Sequence, residues 1–396
     1  MAPVSQSVFH GPGYYRAEDC RLEDFAELTG RRLAAAEVPQ AGAIERSIPV
    51  YDMARLRPTL EDPGARRALM AEWARVLRDS AGVLILQRAY GEVSAIDAAT
   101  AIYRAIIVRE KQTGASGADH FAAAGKNDRI WNSLQKLCEQ APETFVDYFA
   151  NPAVDAVCEA WLGPNYQMTA QVNVVHPGGA AQKAHRDYHL GFQTAEVCAG
   201  YPAHVHELSA VLTLQGAIAH CDMPVESGPT KLLPFSQLYR PGYAAWRRDD
   251  FSAHFEAQAV QVPLRKGDAL FFNPALFHAA GANVSAEVER MANLLQISSA
   301  FGRAMETVDR DAMCRLLYPP VLAAQQEGRL SPLELKAVLA ASAEGYSFPT
   351  NLDSDPPDDG LAPESQQALF HRAIAEGWPE EDFDRALDGL RDRRTA

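Results

Sequence analysis

No stretch of this chain approaches the roughly 18 to 20 uninterrupted apolar residues of a helical membrane span. The segment Met1 to Ser7 lacks a basic stretch followed by an apolar one, so no secretory signal is expected. Cysteine is sparse: Cys20, Cys138, Cys158, Cys198, Cys221 and Cys314 are scattered without a Cys-x-x-Cys pair. That argues against a zinc ribbon, offers no disulfide framework and suits a reducing cytoplasm. Positive charge is also short, with 37 Lys and Arg against 51 Asp and Glu and a formal net charge of -14. Nucleic acids and anionic membranes need a basic face, so both are disfavoured and a small-molecule substrate is the default. No internal repeat is present, and no low-complexity tract beyond one acidic turn near the C-terminus.

What is present is ample core material. With 396 residues and 47% hydrophobic content, the chain can bury one large domain or two. The first sixty residues read as irregular apart from a short strand around Ser47 to Asp52. A helix is expected from Pro63 to Asp79, with Leu69, Trp73, Val76 and Leu77 on one face. Gly82 to Gln87 follows as an apolar strand, residues 92 to 112 as helix, and Gly114 to Gly125 as a flexible Gly- and Ala-rich loop. From about residue 165 to 300 the pattern changes to short strands separated by Pro/Gly turns. Gln167 to Val175 and Leu208 to Gln215 alternate as strands do, the first placing Gln171 and Asn173 on one face, the second turning Thr213 or Gln215 inward. Polar side chains facing a strand-built interior need a partner, so Gln171, Asn173 and Thr213 are candidate cosubstrate contacts. His204, His206 and His220 read as structural or exposed.

Chemistry concentrates in three places. His185 and Asp187 are two apart, so on a strand both face one side while Arg186 points away. Gly267-Asp268 reads as a tight turn and the apolar run behind it as a buried strand, ending near His278. Two imidazoles and one carboxylate leave three positions open on an octahedral Fe(II), so His185, Asp187 and His278 are candidate metal ligands and catalytic residues. Arg290 opens the next apolar run, where its guanidinium suits a forked pair with a carboxylate such as the distal end of a keto acid.

These residues resemble the phytanoyl-CoA dioxygenase-like Fe(II)/2-oxoglutarate oxygenases. The resemblance covers about residues 80 to 305 and four ordered motifs. They include His185-Arg186-Asp187-Tyr188-His189 and a Gly228-Pro229 to Ser236-Gln237 segment, with Gln237 in the usual histidine place. The third runs from His278 through Gly281, Asn283 and Ser285, with Arg290 as the arginine that follows. The resemblance implies a double-stranded β-helix, a cupin-like jelly roll that is mainly β with surrounding helices. It also implies Fe(II), 2-oxoglutarate and O2 as cofactor and cosubstrates, with Arg290 gripping the distal carboxylate. Hydroxylation of an unactivated C–H bond would then release succinate and CO2. Asp187 argues for oxygenation, since related halogenases carry a small residue at that place. In the family the region equivalent to Asn127, Arg129 and Trp131 often borders the substrate pocket, and Tyr188 and His189 adjoin the ligand pair.

The expected organisation is an N-terminal extension over 1–80, an oxygenase domain over 81–305 and a helical appendage over 306–396. In the appendage, Ser331-Pro332-Leu333-Glu334 has a capping-box form and Gly345 offers a stop. Residues 348 to 363 read as an acidic loop, and two short helices follow. This appendage is also the candidate contact for a homodimer. Two other readings stand beside the oxygenase: a cupin-type metalloenzyme that uses no keto acid, and a jelly-roll binding module without turnover. Succinate production separates the first, and failure to bind Fe(II) would favour the second.

Overall fold

The structure is a computed structural model that describes residues 13–113 and 126–395. The expected loop at 114–125 and the N-terminal residues 1–7 lie outside the described residues. The strands in chain order are β1 (Ala43–Glu45), β2 (Ile48–Asp52), β3 (Val83–Gln87), β4 (Asn127–Ile130) and β5 (Gln167–Val175), then β6 (Thr213–Ala219), β7 (Lys231–Leu232), β8 (Ala269–Phe272), β9 (His278–Ala279) and β10 (Arg290–Ser298). Eight of them form one sheet in the order β1-β2-β3-β8-β6-β10-β5-β4, and β7 pairs with β9 separately. Only β2 and β3 run parallel; the other pairs are antiparallel. Helix makes up 48% of the structure, so the expectation of a mainly β chain is corrected to a mixed sheet with many helices.

Local chemistry explains these elements. Pro63 opens the helix Pro63–Asp79 with its fixed φ, and the Asp62 side chain caps it by accepting from Ala65 N. Leu69, Trp73, Val76 and Leu77 are buried on its inner face, as their spacing predicts. β5 spans the alternating stretch Gln167–Val175, flanked by β10 and β4.

Three sequence expectations are corrected. Leu208 to Gln215 is not one strand: helix Ala203–Val211 occupies most of it, and β6 begins at Thr213. Pro202 starts that helix, and His206 and Ser209, one helical step apart, are its buried residues. The apolar run after Gly267 is split into β8 and β9 because Pro274 has no N–H for a ladder. Asn273 closes the intervening turn, its side chain accepting from Ala275 N at 2.9 Å and its carbonyl from Leu276 N at 2.9 Å. The first sixty residues are also more regular than expected, with helix Leu22–Thr29 anchored by buried Phe25 and with β1 and β2 at the sheet edge.

One hydrophobic core runs from Leu33 to Leu390, drawing on the sheet, its covering helices and the C-terminal helices Arg310–Gln326, Pro332–Ser342, Gln366–Glu376 and Glu380–Arg394. The Ser331–Glu334 capping box forms reciprocally, at 3.3 and 2.8 Å. No helix among the described residues is long and apolar enough to cross a membrane.

An ionic cluster ties the C-terminal helices to the rest. Asp155 is 2% exposed and meets Arg66 at 3.2 Å, Lys336 at 3.3 Å and the Tyr166 hydroxyl at 2.9 Å. Arg66 also reaches Glu159 at 2.7 Å. Burial pushes the Asp155 carboxyl up, against the pull of Lys336, while Lys336 and Arg66 outweigh burial at Glu159 and draw it down. Arg66→Ala is expected to destabilise the protein by on the order of 2 kcal/mol in urea unfolding, less than a fully buried pair because Lys336 stays. A loss within about 0.5 kcal/mol would show that Lys336 alone satisfies both carboxylates.

Candidate functional site

The site rests on a backbone bridge. His185 N donates to His278 O at 3.0 Å, His278 N returns a bond to His185 O at 3.2 Å, and Asp187 N donates to Pro274 O at 3.0 Å. The segment carrying His185 and Asp187 forms no full strand: it is held by this isolated bridge and by flanking bonds from Gln182 N to Ala280 O and from Asp187 N to Pro274 O. The donor atoms of His185, Asp187 and His278 all lie within 4.8 Å of one another, and no other such trio of His, Cys, Asp or Glu occurs among the described residues. Asp187 stands 3.4 Å from His278 Nε2 and 3.8 Å from His185 Nε2.

Hydrogen bonding aims the two rings. His185 Nδ1 faces the Lys183 carbonyl at 2.8 Å and His278 Nδ1 the Leu276 carbonyl at 2.9 Å. A carbonyl can only accept, so Nδ1 carries the proton in both rings and both Nε2 lone pairs point toward Asp187. Burial disfavours charge on Asp187, but positive charge at the two imidazoles, whose place a bound cation would take, and the Gln215 amide outweigh it and hold the carboxyl well below its usual range. Burial, with the neighbouring His278, pulls His185 down and favours the neutral ring that a metal needs. Two bare imidazole nitrogens converging on an ionised carboxylate fit a divalent iron with three positions left open.

Arg186 points away from the trio, as the alternation requires. Its Nη2 donates to the carbonyls of Ser236 at 2.7 Å and Tyr239 at 2.9 Å, and its guanidinium lies over the rings of Tyr243 and Phe277. A Cβ on Gly242 would sit 2.0 Å from the guanidinium carbon, so any side chain there would displace the guanidinium from this seat. Ser236 Oγ donates to Leu233 O at 2.6 Å and accepts from Phe277 N at 2.8 Å. One serine therefore touches both the residue between two of the trio and the residue before the third. Gln237 turns elsewhere, donating to Ser80 O at 2.8 Å.

A cavity of about 760 Å³ opens over the trio. It is lined by His185, Asp187, His278, Arg290, Gln171, Asn173, Arg129 and Trp131, all expected from sequence. Thr213, Asn127, Tyr188 and His189 do not line it. Thr213 sits at the first residue of β6 opposite Ser298, and it is Gln215, two residues on, that donates to Asp187 Oδ2 at 2.6 Å. Tyr188 reaches the cavity wall only through its hydroxyl, which donates to Gln296. Tyr188 and His189 both have positive φ, 64° and 41°, a strained conformation directly after Asp187.

Arg290 begins β10, and its Nη1 donates to Ser227 O and Gly281 O, each at 3.1 Å. Burial lowers it to about 10, leaving it charged at neutral pH. Gly228 packs behind it with φ 72°, where a Cβ would meet Ala282 O at 2.3 Å, so the Gly-Pro segment is shaped around this arginine's support. Sequence reasoning missed Gln296, Lys183, Trp246 and Arg247 on the cavity wall. Gln296 and Gln215 are register partners, and a glutamine in each of two largely apolar strands was the available signal. A second cleft of about 540 Å³ among the C-terminal helices contains no comparable trio.

Residues 79–292 match the family model described as phytanoyl-CoA dioxygenase (PhyH). The chain is similar to the dioxygenase andF of Emericella variicolor, 28% identical over 147 residues, which cover 35% of this chain and 45% of that protein. It is also similar to the dioxygenase trt7 of Aspergillus terreus (strain NIH 2624 / FGSC A1156), 22% identical over 240 residues, covering 60% of this chain and 73% of that protein. The chain thus spans less than half the length of the first of these relatives. Among solved structures, it is similar to the non-heme alpha ketoglutarate dependent carbocyclase SnoK from nogalamycin biosynthesis, at 21% identity and TM-score 0.44, covering 69% of this chain and 93% of that chain. The epimerase SnoN from the same biosynthesis gives 21% identity and TM-score 0.39, covering 60% of this chain and 82% of that chain.

The Ser236 contact generates a prediction. Ser236→Ala strips the buried Phe277 N–H of its acceptor and is expected to destabilise by about 1 to 3 kcal/mol in chemical denaturation. An unchanged midpoint would mean that the Phe277 amide finds another acceptor and that the serine is not part of the frame.

Proposed function

The chain belongs to the phytanoyl-CoA dioxygenase family, whose enzymes use Fe(II), 2-oxoglutarate and O2, and on that premise we propose that it oxidises an unactivated C–H bond of a small molecule, with hydroxylation as the outcome and succinate and CO2 as co-products. The observation that carries the reading is the convergence of two carbonyl-tethered imidazoles on Asp187 at the floor of a cavity that also holds Arg290. When bound, iron and 2-oxoglutarate supply the oxidising power through decarboxylation of the keto acid. The chain's own residues do the rest. His185, Asp187 and His278 hold the metal, and Gln215 fixes the Asp187 carboxylate by its bond to Oδ2. Arg290 receives the distal carboxylate of 2-oxoglutarate, with Gln171 and Asn173 on the neighbouring strand as further contacts.

The fold fits the same reading. On this reading the eight-stranded sheet and the separate β7–β9 ribbon would serve as the two walls of a double-stranded β-helix. On the same reading, the described part of 81–305 would supply the chemistry, while residues 13–80 and 306–395 would support it from outside. Arg129 and Trp131 border the substrate space, the guanidinium lying 5.0 Å from the indole ring centroid. A cupin-type enzyme without a keto acid would leave the buried charge of Arg290 with two carbonyls and no carboxylate to receive, which disfavours it.

Two measurements test the reading. Mn(II) at a hundredfold excess over its dissociation constant should stabilise the native protein by about 2.7 kcal/mol, and Asp187→Ala should abolish that shift while the apoprotein remains folded. Retained metal-dependent stabilisation in the variant would remove Asp187 from the ligand set. Arg290→Ala should weaken 2-oxoglutarate binding by on the order of 2 to 5 kcal/mol in anaerobic titration, with metal affinity nearly intact. Equal 2-oxoglutarate affinity would take the arginine out of its role.

A further inference from the structure

Charge on the cavity wall is lopsided. Arg129, Lys183, Arg247 and Arg290 line it against one carboxylate, Asp187, in a chain whose formal net charge is -14. Once Fe(II) and doubly charged 2-oxoglutarate are bound as proposed above, they balance Asp187 and Arg290, so neither of these accounts for the excess. Arg129 has the Glu306 carboxylate near it. Lys183 and Arg247 have no carboxylate within the 4.0 Å of an ion pair among the described residues, although Glu196 lies in the wider neighbourhood of Arg247.

Both cations belong to the wall for structural reasons. Lys183 is two residues before His185 and supplies the carbonyl that orients that ring. Arg247 is fixed by a bond from Nη2 to Gly191 O at 3.1 Å and by stacking on Trp246, with the guanidinium carbon 3.8 Å from the ring centroid. Between them, Phe192 stands 53% exposed on the same wall. Arg247 remains exposed to solvent, with partial burial drawing its pKa down. Deeper in, the lining turns apolar, with Ala217, Met223, Leu264, Phe272 and Leu294. A cavity of about 760 Å³ has room for a substrate body beyond the cosubstrate.

We propose that the substrate is an amphiphilic anion, whose apolar body fills the cavity over the metal trio while its carboxylate or phosphate is received by Lys183 and Arg247 at the mouth. This inference rests on the oxygenase reading, since it is that reading which assigns Arg290 and Asp187 to other charges. A net uncharged substrate would leave both cations, which are exposed at the cavity mouth, without an anionic group to pair with.

The test uses the full chain loaded with Mn(II) and saturating 2-oxoglutarate, with binding of three probes of equal length measured by calorimetry: decanoate, decyl phosphate and neutral decanamide. Binding of 2-oxoglutarate to the Mn(II) form is recorded first, so that a failure of the oxygenase reading shows itself separately. At least one anion should bind about tenfold or more tighter than the amide, and the stronger of the two identifies carboxylate or phosphate as the preferred group. In the Lys183→Gln/Arg247→Gln double variant, which keeps the Lys183 carbonyl, that preference should fall to within about twofold while amide binding stays unchanged. Equal affinity for all three probes in the native protein, including no binding of any, overturns the proposal. So does an anion preference that survives in the double variant.

Discussion

Everything in the site depends on one reciprocal pair of backbone hydrogen bonds, between His185 and His278. These residues lie far apart in sequence, on an extended segment after β5 and on the two-residue strand β9, and no shared regular element brings them together. Because the bridge is made by main-chain atoms, it fixes the separation of the two Cα atoms whatever the side chains are. The carbonyls of Lys183 and Leu276 then set the ring orientations, again with main-chain atoms. A preset geometry of this kind reduces the reorganisation that a metal would otherwise have to drive on binding.

The sheet supplies the opposite wall. β10 lies between β6 and β5, so its alternate residues Arg290, Ala292, Leu294 and Gln296 face the cavity in a row. The order of that row separates the roles, with the arginine at one end and the glutamine that receives the Tyr188 hydroxyl at the other. Segments outside the matched family region brace this wall: β1 and β2 extend the sheet at one edge, and Arg310 in the C-terminal part donates to Met168 O on β5 at 2.8 Å.

What was legible in the sequence followed from periodicity and from rigid residue chemistry. The helix Pro63–Asp79 and the strand Gln167–Val175 carry strong, unbroken patterns, and the structure gives both the same ends. The trio and Arg290 were visible because ligand chemistry restricts residue type. Leu208 to Gln215 misled because a short apolar run satisfies helix and strand alike, and the proline ahead of it was the better guide. Thr213 and Gln215 share a face of β6, so alternation could not say where along that face the cavity begins. The mouth residues Lys183, Phe192, Trp246 and Arg247 come from segments with no common period, and only the folded chain gathers them.

Arg186 carries a charge into a dry place without a carboxylate counterion among the described residues, compensated by two carbonyl dipoles and two aromatic faces. Burial lowers it to about 10, and it still keeps its proton in neutral solution. A lysine at that position would start from an intrinsic value about two units lower and would also be pushed down by burial. It would hold its charge by a smaller margin and could not present a planar fork to both carbonyls. The guanidinium thus keeps its cationic state here with a wide margin, and the familiar exchange of one basic residue for another is not a conservative one between His185 and Asp187.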